Sequence, residues 1–319
     1  MNRFSSLALA AVLAASVAHA ESFPDKPITF VVPFAAGTAT DQIARALGNG
    51  VTAETKQAVV IDNKAGASGF IASQQVAKAP ADGYTVLITT NTTHAANEHL
   101  FKKLPYDPVK DYAPIAALGK GGQIMVVNPS FPAKTVEEFV AMAKKQSGKY
   151  TFGSGSSSSR IAGELFQQMA DVKLLHVPYK SNTLAVTDLL GGQIDMMITD
   201  TATGLPQVKS GKLRALGVSS AKRSPLAPEL PTIAEAGVKG YEMGYWFAAY
   251  APAKTPPAVV KRLNELLVKA AKSDAAKTAF YDPTGTEVFT TSPEDLAKFQ
   301  ATESQKWGRI VKAAGIEAE

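Results

Sequence analysis

The chain has 319 residues, 45% of them hydrophobic and 19% charged, which is enough apolar surface for about two packed domains and too little charge for a disordered segment. It has no cysteine, which excludes a disulfide scaffold, a Cys-ligated zinc site, a thiol nucleophile and a CxxC redox motif. Lys and Arg number 33 against 28 Asp and Glu, a net charge of +5 scattered singly or in pairs; this is the pattern of solvated faces rather than a nucleic-acid stripe, and it favours small anionic ligands.

Met1-Asn2-Arg3 is a short positive start, Leu7 to Val17 an apolar run, and Ala18-His19-Ala20 a small-x-small cleavage site. Together they read as a secretory signal peptide, residues 1–20, cut after Ala20 to send the chain to the periplasm. The run is shorter than the roughly 20 residues of a spanning helix, and no later segment is apolar enough to cross a membrane.

The first elements alternate strand, loop and helix. Ile28 to Val32 is a β-branched strand, Phe34 to Thr40 a Gly-containing loop, and Asp41 opens an amphipathic helix. Val59 to Ile61 is a second strand, followed by the glycine loop Ala65 to Gly69 and a helix through Ala79. Tyr84 to Thr89 is a third strand, with the polar loop Thr90 to His94 after it. This repetition predicts an α/β domain whose ligands sit beyond the carboxyl ends of the strands. The pattern restarts at Gly121. Strands are expected at Gln123 to Val127, Tyr150 to Phe152, Leu174 to Val177, Ile194 to Ile198 and Leu213 to Val218, with helices from Val136, near Arg160 and from Thr183 to Leu190. A further strand, Gly244 to Tyr250, precedes two helices near Ala258–Lys272 and Pro293–Ala314.

The sharpest local feature is Gly153-Ser154-Gly155-Ser156-Ser157-Ser158-Ser159 between a strand and a helix. Such a junction offers backbone N–H groups and hydroxyls at a positive dipole end, a cradle for a carboxylate or phosphate or else a capping loop. Ser154, Ser156, Ser157 and Ser158 are the candidate contacts. Arg160 follows at once, either a fork for a carboxylate or a solvent-facing arginine. Phe34, Gly37, Thr38 and Asp41 form a second loop of this kind, with Asp41 or Thr40 alternatively an N-cap. Thr92 and Thr93 lie in the polar loop of the first domain, where His94 reads as a structural residue; His176 reads as core and His99 as surface. Asp200, ending a strand between two threonines, is a ligand acceptor or a helix N-cap. Chemistry for turnover is missing: GxSxG, HExxH and GxxxxGK[ST] are absent, Ser158 stands where a GxGxxG needs its third glycine, and Ser219-x-x-Lys222 lacks the companions of an SxxK enzyme. No catalytic residue, cofactor or metal is expected.

Whole-chain motifs sharpen the reading. They include Phe23-Pro24-Asp25-Lys26-Pro27-Ile28, Val32-Pro33-Phe34-Ala35-Ala36-Gly37, Asn63-Lys64-Ala65-Gly66-Ala67-Ser68-Gly69 and Ala79-Pro80-Ala81-Asp82-Gly83-Tyr84-Thr85. Further on stand Leu104-Pro105-Tyr106-Asp107-Pro108, Val177-Pro178-Tyr179-Lys180, Leu189-Leu190-Gly191-Gly192-Gln193-Ile194-Asp195 and Gly211-Lys212-Leu213-Arg214-Ala215-Leu216. With these the chain resembles the tripartite tricarboxylate transporter receptors, the Bug family. The resemblance implies a two-domain α/β periplasmic binding protein of the type II, Venus-flytrap kind, each lobe a mixed sheet flanked by helices. It also implies a small organic carboxylate as ligand, dicarboxylate or aromatic, and separate membrane subunits as partners, with no nucleic acid and a monomeric receptor. In the family the carboxylate is held by the loops that map to Phe34–Asp41 and Gly153–Ser159. The chain departs from the family in having Gly37-Thr38-Ala39 where consecutive glycines are usual, and Arg160 where a histidine is usual. Lobe 1 is expected over 21–121 plus 248–319 and lobe 2 over 122–247. The rival readings are a receptor feeding a sensor kinase and an exported hydrolase or lyase of organic acids.

Overall fold

The computed structural model describes residues 23–224 and 226–318; the expected signal peptide lies outside the described residues. No helix among the described residues is long and apolar enough to cross a membrane.

The first half builds a parallel core. Strand β1 (Ile28–Val32) leads to helix α1 (Ala39–Thr55), β2 (Val59–Asn63), α2 (Phe70–Ala77) and β3 (Thr85–Thr90). β1 lies between β2 and β3, parallel to both. Its side chains are almost fully buried because helices cover both faces, so it reads as a continuous β-branched run. After β3 the expected polar loop is instead helical: Thr92–Ala96 makes one π-helical turn and continues into α3 (Asn97–Leu100). Burial of all five residues of that turn overrides the turn-like polarity of their sequence.

Strand β4 runs from Tyr112 to Val127, far beyond the expected Gln123–Val127. Pro114 and glycines 119, 121 and 122 hide its first part from a periodicity reading, and the ladder to β9 (Gly244–Pro252) accommodates them with register shifts. β4 pairs with β9 as far as Gly122 and with β7 (Met196–Asp200) from Gln123 onward, so one strand belongs to both sheets. The first sheet has the order β2-β1-β3-β9-β4. The second continues β4-β7-β5-β6, with β5 (Thr151–Ser154) parallel to β6 (Leu175–Pro178) and β7, and with β8 (Arg214–Val218) antiparallel to β4. Helices α4 (Val136–Lys145), α5 (Ser157–Ala170), α6 (Asn182–Leu190) and α7 (Thr201–Lys209) flank this second sheet. The result is a two-lobe α/β fold with a mixed sheet in each lobe.

Two helices complete the chain, α8 (Pro257–Lys272) and α9 (Pro293–Ala313), with short turns between them at 274–284 that the sequence pattern did not announce. α9 returns to the strands: Trp246 Nε1 donates to Glu303 at 3.1 Å, and Tyr250 donates to Gln300 at 3.0 Å. Trp246 and Tyr250 are buried in the process; burying a large apolar side chain contributes roughly 1.5–3 kcal/mol. Ser219, of the SxxK match, is a structural residue: its Oγ accepts from Gln123 N and donates to the Met243 carbonyl, both at 2.6 Å, where the chain runs between the sheets.

Candidate functional site

The carboxyl ends of β1, β3, β5 and β7 converge on one narrow cleft between the sheets. Phe34, Thr38 and Thr92 line it from the first lobe, and Ser156, Ser158 and Asp200 from the second. Six of the twelve expected contact residues therefore meet in one place although up to 166 positions separate them.

The other six stand behind that wall or beside it. Asp41 is buried at the start of α1, where its carboxylate accepts from the Gly37 N–H at 2.9 Å and from Arg45 Nε at 3.0 Å. Burial alone would raise its pKa, but hydrogen bonds from Arg45, the Gly37 N–H and Asn63 outweigh it and hold the carboxyl below its usual range. Thr38 caps the helix and donates to the Ala35 carbonyl at 2.8 Å. Gly37 and Asp41 thus shape the loop that presents Phe34 and Thr38. Thr93 is bonded to Thr89 and to His94 Nδ1. His94 is a core residue stacked on Tyr250 at 3.9 Å, and burial pushes its pKa down to about 3. Ser157 donates to Asn97 Oδ1 at 2.7 Å, a bond from α5 to α3. Ser154 Oγ pairs with His176 Nε2 at 2.7 Å, and with Ser157 and Arg160 both line a neighbouring chamber; His176 is therefore a wall residue, half-buried, and not core.

The serine segment is more ordered than a loop. Helix α5 starts at Ser157, three residues before the expected start at Arg160, because Ser156 is an excellent N-cap: its Oγ accepts from Ser159 N, and Ser159 Oγ accepts from Ser156 N in return. Gly155 sits where a Cβ would fall 1.9 Å from the Ser181 carbonyl carbon, so only glycine brings this helix end so close to Asn182. Asn182 Oδ1 accepts from the Gly155 N–H, and its Nδ2 donates to Asp200 Oδ2 at 3.1 Å. The N–H groups of Ser157 and Ser158, at N1 and N2, have no acceptor within the helix and project off its end.

Four helix N-termini face the cleft, since Asn182 opens α6 there, and their charges differ. α1 carries Asp41 in its first turn, and α7 is capped by Asp200, which accepts from Thr203 N at 2.8 Å. The first turns of α5 and α6 contain no acidic residue, so their positive dipole ends are uncompensated by acids of their own. Around them, three buried side-chain atoms of the cleft wall have no hydrogen-bond partner: Asn91 Nδ2, Thr92 Oγ1 and Gln123 Oε1. These residues are at most 2% exposed. Each buried polar group left unpaired costs about 1–3 kcal/mol, which a polar solute in the cleft would relieve.

The sequence reading missed Asn91, Gln123, Asn182, Tyr245 and Phe247, all of which line the cleft. Gln123 had a signal, a lone amide in the strand Gln-Ile-Met-Val-Val. Tyr245 and Phe247 had one too, their i, i+2 spacing on a single strand face. Asn91 and Asn182 had none. No group of three or more His, Asp or Glu among the described residues is arranged to hold a metal.

The family model of the tripartite tricarboxylate transporter family receptor matches residues 43–316. The chain belongs to this family. Among solved structures it is similar to Rpa4515 of R. palustris with adipate, at a TM-score of 0.90 and 34% identity over 93% of this chain and 100% of that one. The periplasmic binding protein BugD aligns at 0.89 and 33% over 93% and 100%. MatC from Rhodopseudomonas palustris, with bound malate, aligns at 0.85 and 30% over 91% and 100%. As a receptor of this family, the chain has the two-lobe fold of periplasmic binding proteins, and its relatives bind solutes.

Proposed function

We propose that the protein is a periplasmic receptor that captures a small organic carboxylate in the inter-lobe cleft and delivers it to separate membrane subunits of a tripartite tricarboxylate-type transporter, with no chemical conversion. The observation that carries this is the uncompensated N-terminus of α5 ringed by unpartnered buried polar atoms of both lobes. The carboxylate sits against the Ser157 and Ser158 N–H groups, with Thr38 and Thr92 facing it from the first lobe. The adipate and malate of the neighbouring structures support this ligand class. Asp200 opposes a second anion inside the cleft itself, because its carboxylate is already the cap of α7. Residues 122–247 act as the second lobe and 21–121 with 248–319 as the first, and closure pivots where β4 passes from one sheet to the other at Gly121 and Gly122. The receptor works as a monomer, and its export follows from the signal peptide 1–20.

Isothermal titration with a panel of monocarboxylates and dicarboxylates tests the reading, followed by chromatography of the tightest ligand after prolonged incubation. A bound acid returned unchanged is expected. A panel with no binder, or a ligand converted over many cycles, would overturn it.

A further inference from the structure

Asn97, the first residue of α3, is fully buried, and both ends of its amide are hydrogen-bonded. Its Nδ2 donates to the Ser68 carbonyl at 2.9 Å and to the Tyr106 hydroxyl at 3.2 Å. A carbonyl only accepts, so Nδ2 must face Ser68, and Oδ1 is left facing α5. There it accepts from the Ser157 hydroxyl at 2.7 Å. Tyr106 in turn donates to the Thr93 carbonyl at 2.8 Å. One amide thus ties the first turn of α5 to three segments that belong with the first sheet. These are the glycine loop at Ser68, the loop of Tyr106 and the π-helical turn that carries Thr92 to the cleft.

We propose that Asn97 is a positioning residue for ligand capture: its bond to Ser157 is a latch that forms as the lobes close and holds the α5 terminus over the bound solute. The proposal rests on the lobe division given above, which puts Asn97 in the first lobe and Ser157 in the second.

The place of the bond decides what it does. Tyr245 and Trp246 also bond across the lobes, Tyr245 with Thr286 at 2.9 Å, and Trp246 to Asn91 at 3.3 Å and Glu303 at 3.1 Å. In the β4–β9 ladder these two residues pair with Gly121 and Lys120, beside the pivot. Rotation displaces an atom in proportion to its distance from the pivot, so bonds there persist as the lobes open. Asn97 and Ser157 have no place in that ladder. They stand on the helices that follow β3 and β5, one from each sheet, and opening separates them. In this structure both residues are buried, so the bond is shielded from water in the closed arrangement, where it is strongest. A latch of this kind prolongs the closed state and leaves the encounter with ligand untouched.

The chain has no cysteine, so two introduced ones carry spin labels without competition. Ile71→Cys on α2 and Leu184→Cys on α6 place the labels at exposed positions, one per lobe. Pulsed electron resonance reads the lobe separation in this labelled parent and with Asn97→Ala, Ser157→Ala or both added. Each chain is measured without ligand and with adipate or malate, the acids of the neighbouring structures. The ratio of short to long distances should fall about 2- to 12-fold in each single variant, the range of one net hydrogen bond, and no further in the double variant. For an acid that binds, stopped-flow should show dissociation quickened by a similar factor and association unchanged. Ser157→Ala keeps the Asn97 bonds to Ser68 and Tyr106, so it separates the latch from the scaffold. A merely structural Asn97–Ser157 bond would lower the urea midpoint and leave the lobe distances unmoved. A Ser157→Ala chain whose distances match the parent, with and without acid, overturns the latch whatever Asn97→Ala does. The ligand-free comparison decides the latch even if neither acid binds, an outcome that counts against the carboxylate reading alone.

Discussion

Replacing Ser157 by proline isolates the backbone's contribution to anion binding. Ser157 is the N1 residue of α5, where proline is favoured because the N–H it removes has no acceptor within the helix. The preceding residue must be extended for proline to follow, and Ser156 is, at φ −154° and ψ 158°. The helix should therefore form as before, less one N–H at its end. Ser157→Pro also loses the hydroxyl that donates to Asn97, so its reference is Ser157→Ala rather than the wild type. Leaving buried Asn97 Oδ1 without that donor costs both variants about 1–3 kcal/mol of stability. Relative to Ser157→Ala, the proline variant should lose about 1.5–3 kcal/mol of carboxylate binding, or roughly 10- to 150-fold in affinity. Titration calorimetry measures the affinities, and urea midpoints check that the two variants are equally stable. Equal affinities in the two variants would refute the placement of the carboxylate on this helix end, and the loop of Phe34 and Thr38 would become the main anion contact.

Gly155→Ala should destabilise by about 1–3 kcal/mol, because the new methyl meets the backbone of Ser181 and Asn182, and it should weaken ligand binding by displacing the α5 terminus; an unchanged urea midpoint together with unchanged affinity would contradict the close approach. Acid should cost stability through His94. Its folded pKa, near 3, lies below the unfolded value of 6.5, so the unfolded chain takes the proton first; the contribution is whole above pH 6.5 and lost as pH falls from there towards 3, about 2 kcal/mol of it by pH 5. Urea titrations between pH 7 and pH 5 should therefore show a flatter pH dependence in His94→Gln than in the wild type, and parallel curves would refute the assignment. N-terminal sequencing of the exported protein should begin at Glu21; a form that retains Leu7 to Val17 would contradict the signal peptide.

Local sequence determined the elements wherever one residue type answered one local need. β-branched runs made β1 and β3, and Ser156 became a cap because hydroxyls satisfy first-turn N–H groups, whereas the cap of α1 is Thr38 and not the expected Thr40 or Asp41, since the helix starts at Ala39. The whole-chain motifs were enough to indicate the family, and the strand–loop–helix order was enough to put ligands at the carboxyl edge of the sheets. Tertiary structure decided what local pattern could not. Whether Asp200 caps a helix or faces the cleft is not a choice between alternatives, because the end of β7 leads straight into α7 and the residue does both. Asp41 is a scaffold for its loop only because Arg45, Gly37 and Asn63 surround it. The π-helical turn at Thr92–Ala96 and the first part of β4 depend on burial and on strand pairing with distant residues, and neither leaves a period in the sequence. The division of the serine run between two spaces, Ser158 to the cleft and Ser157 with Arg160 to the chamber, follows from the rotation of about 100° per residue of a helix whose start only the folded chain reveals.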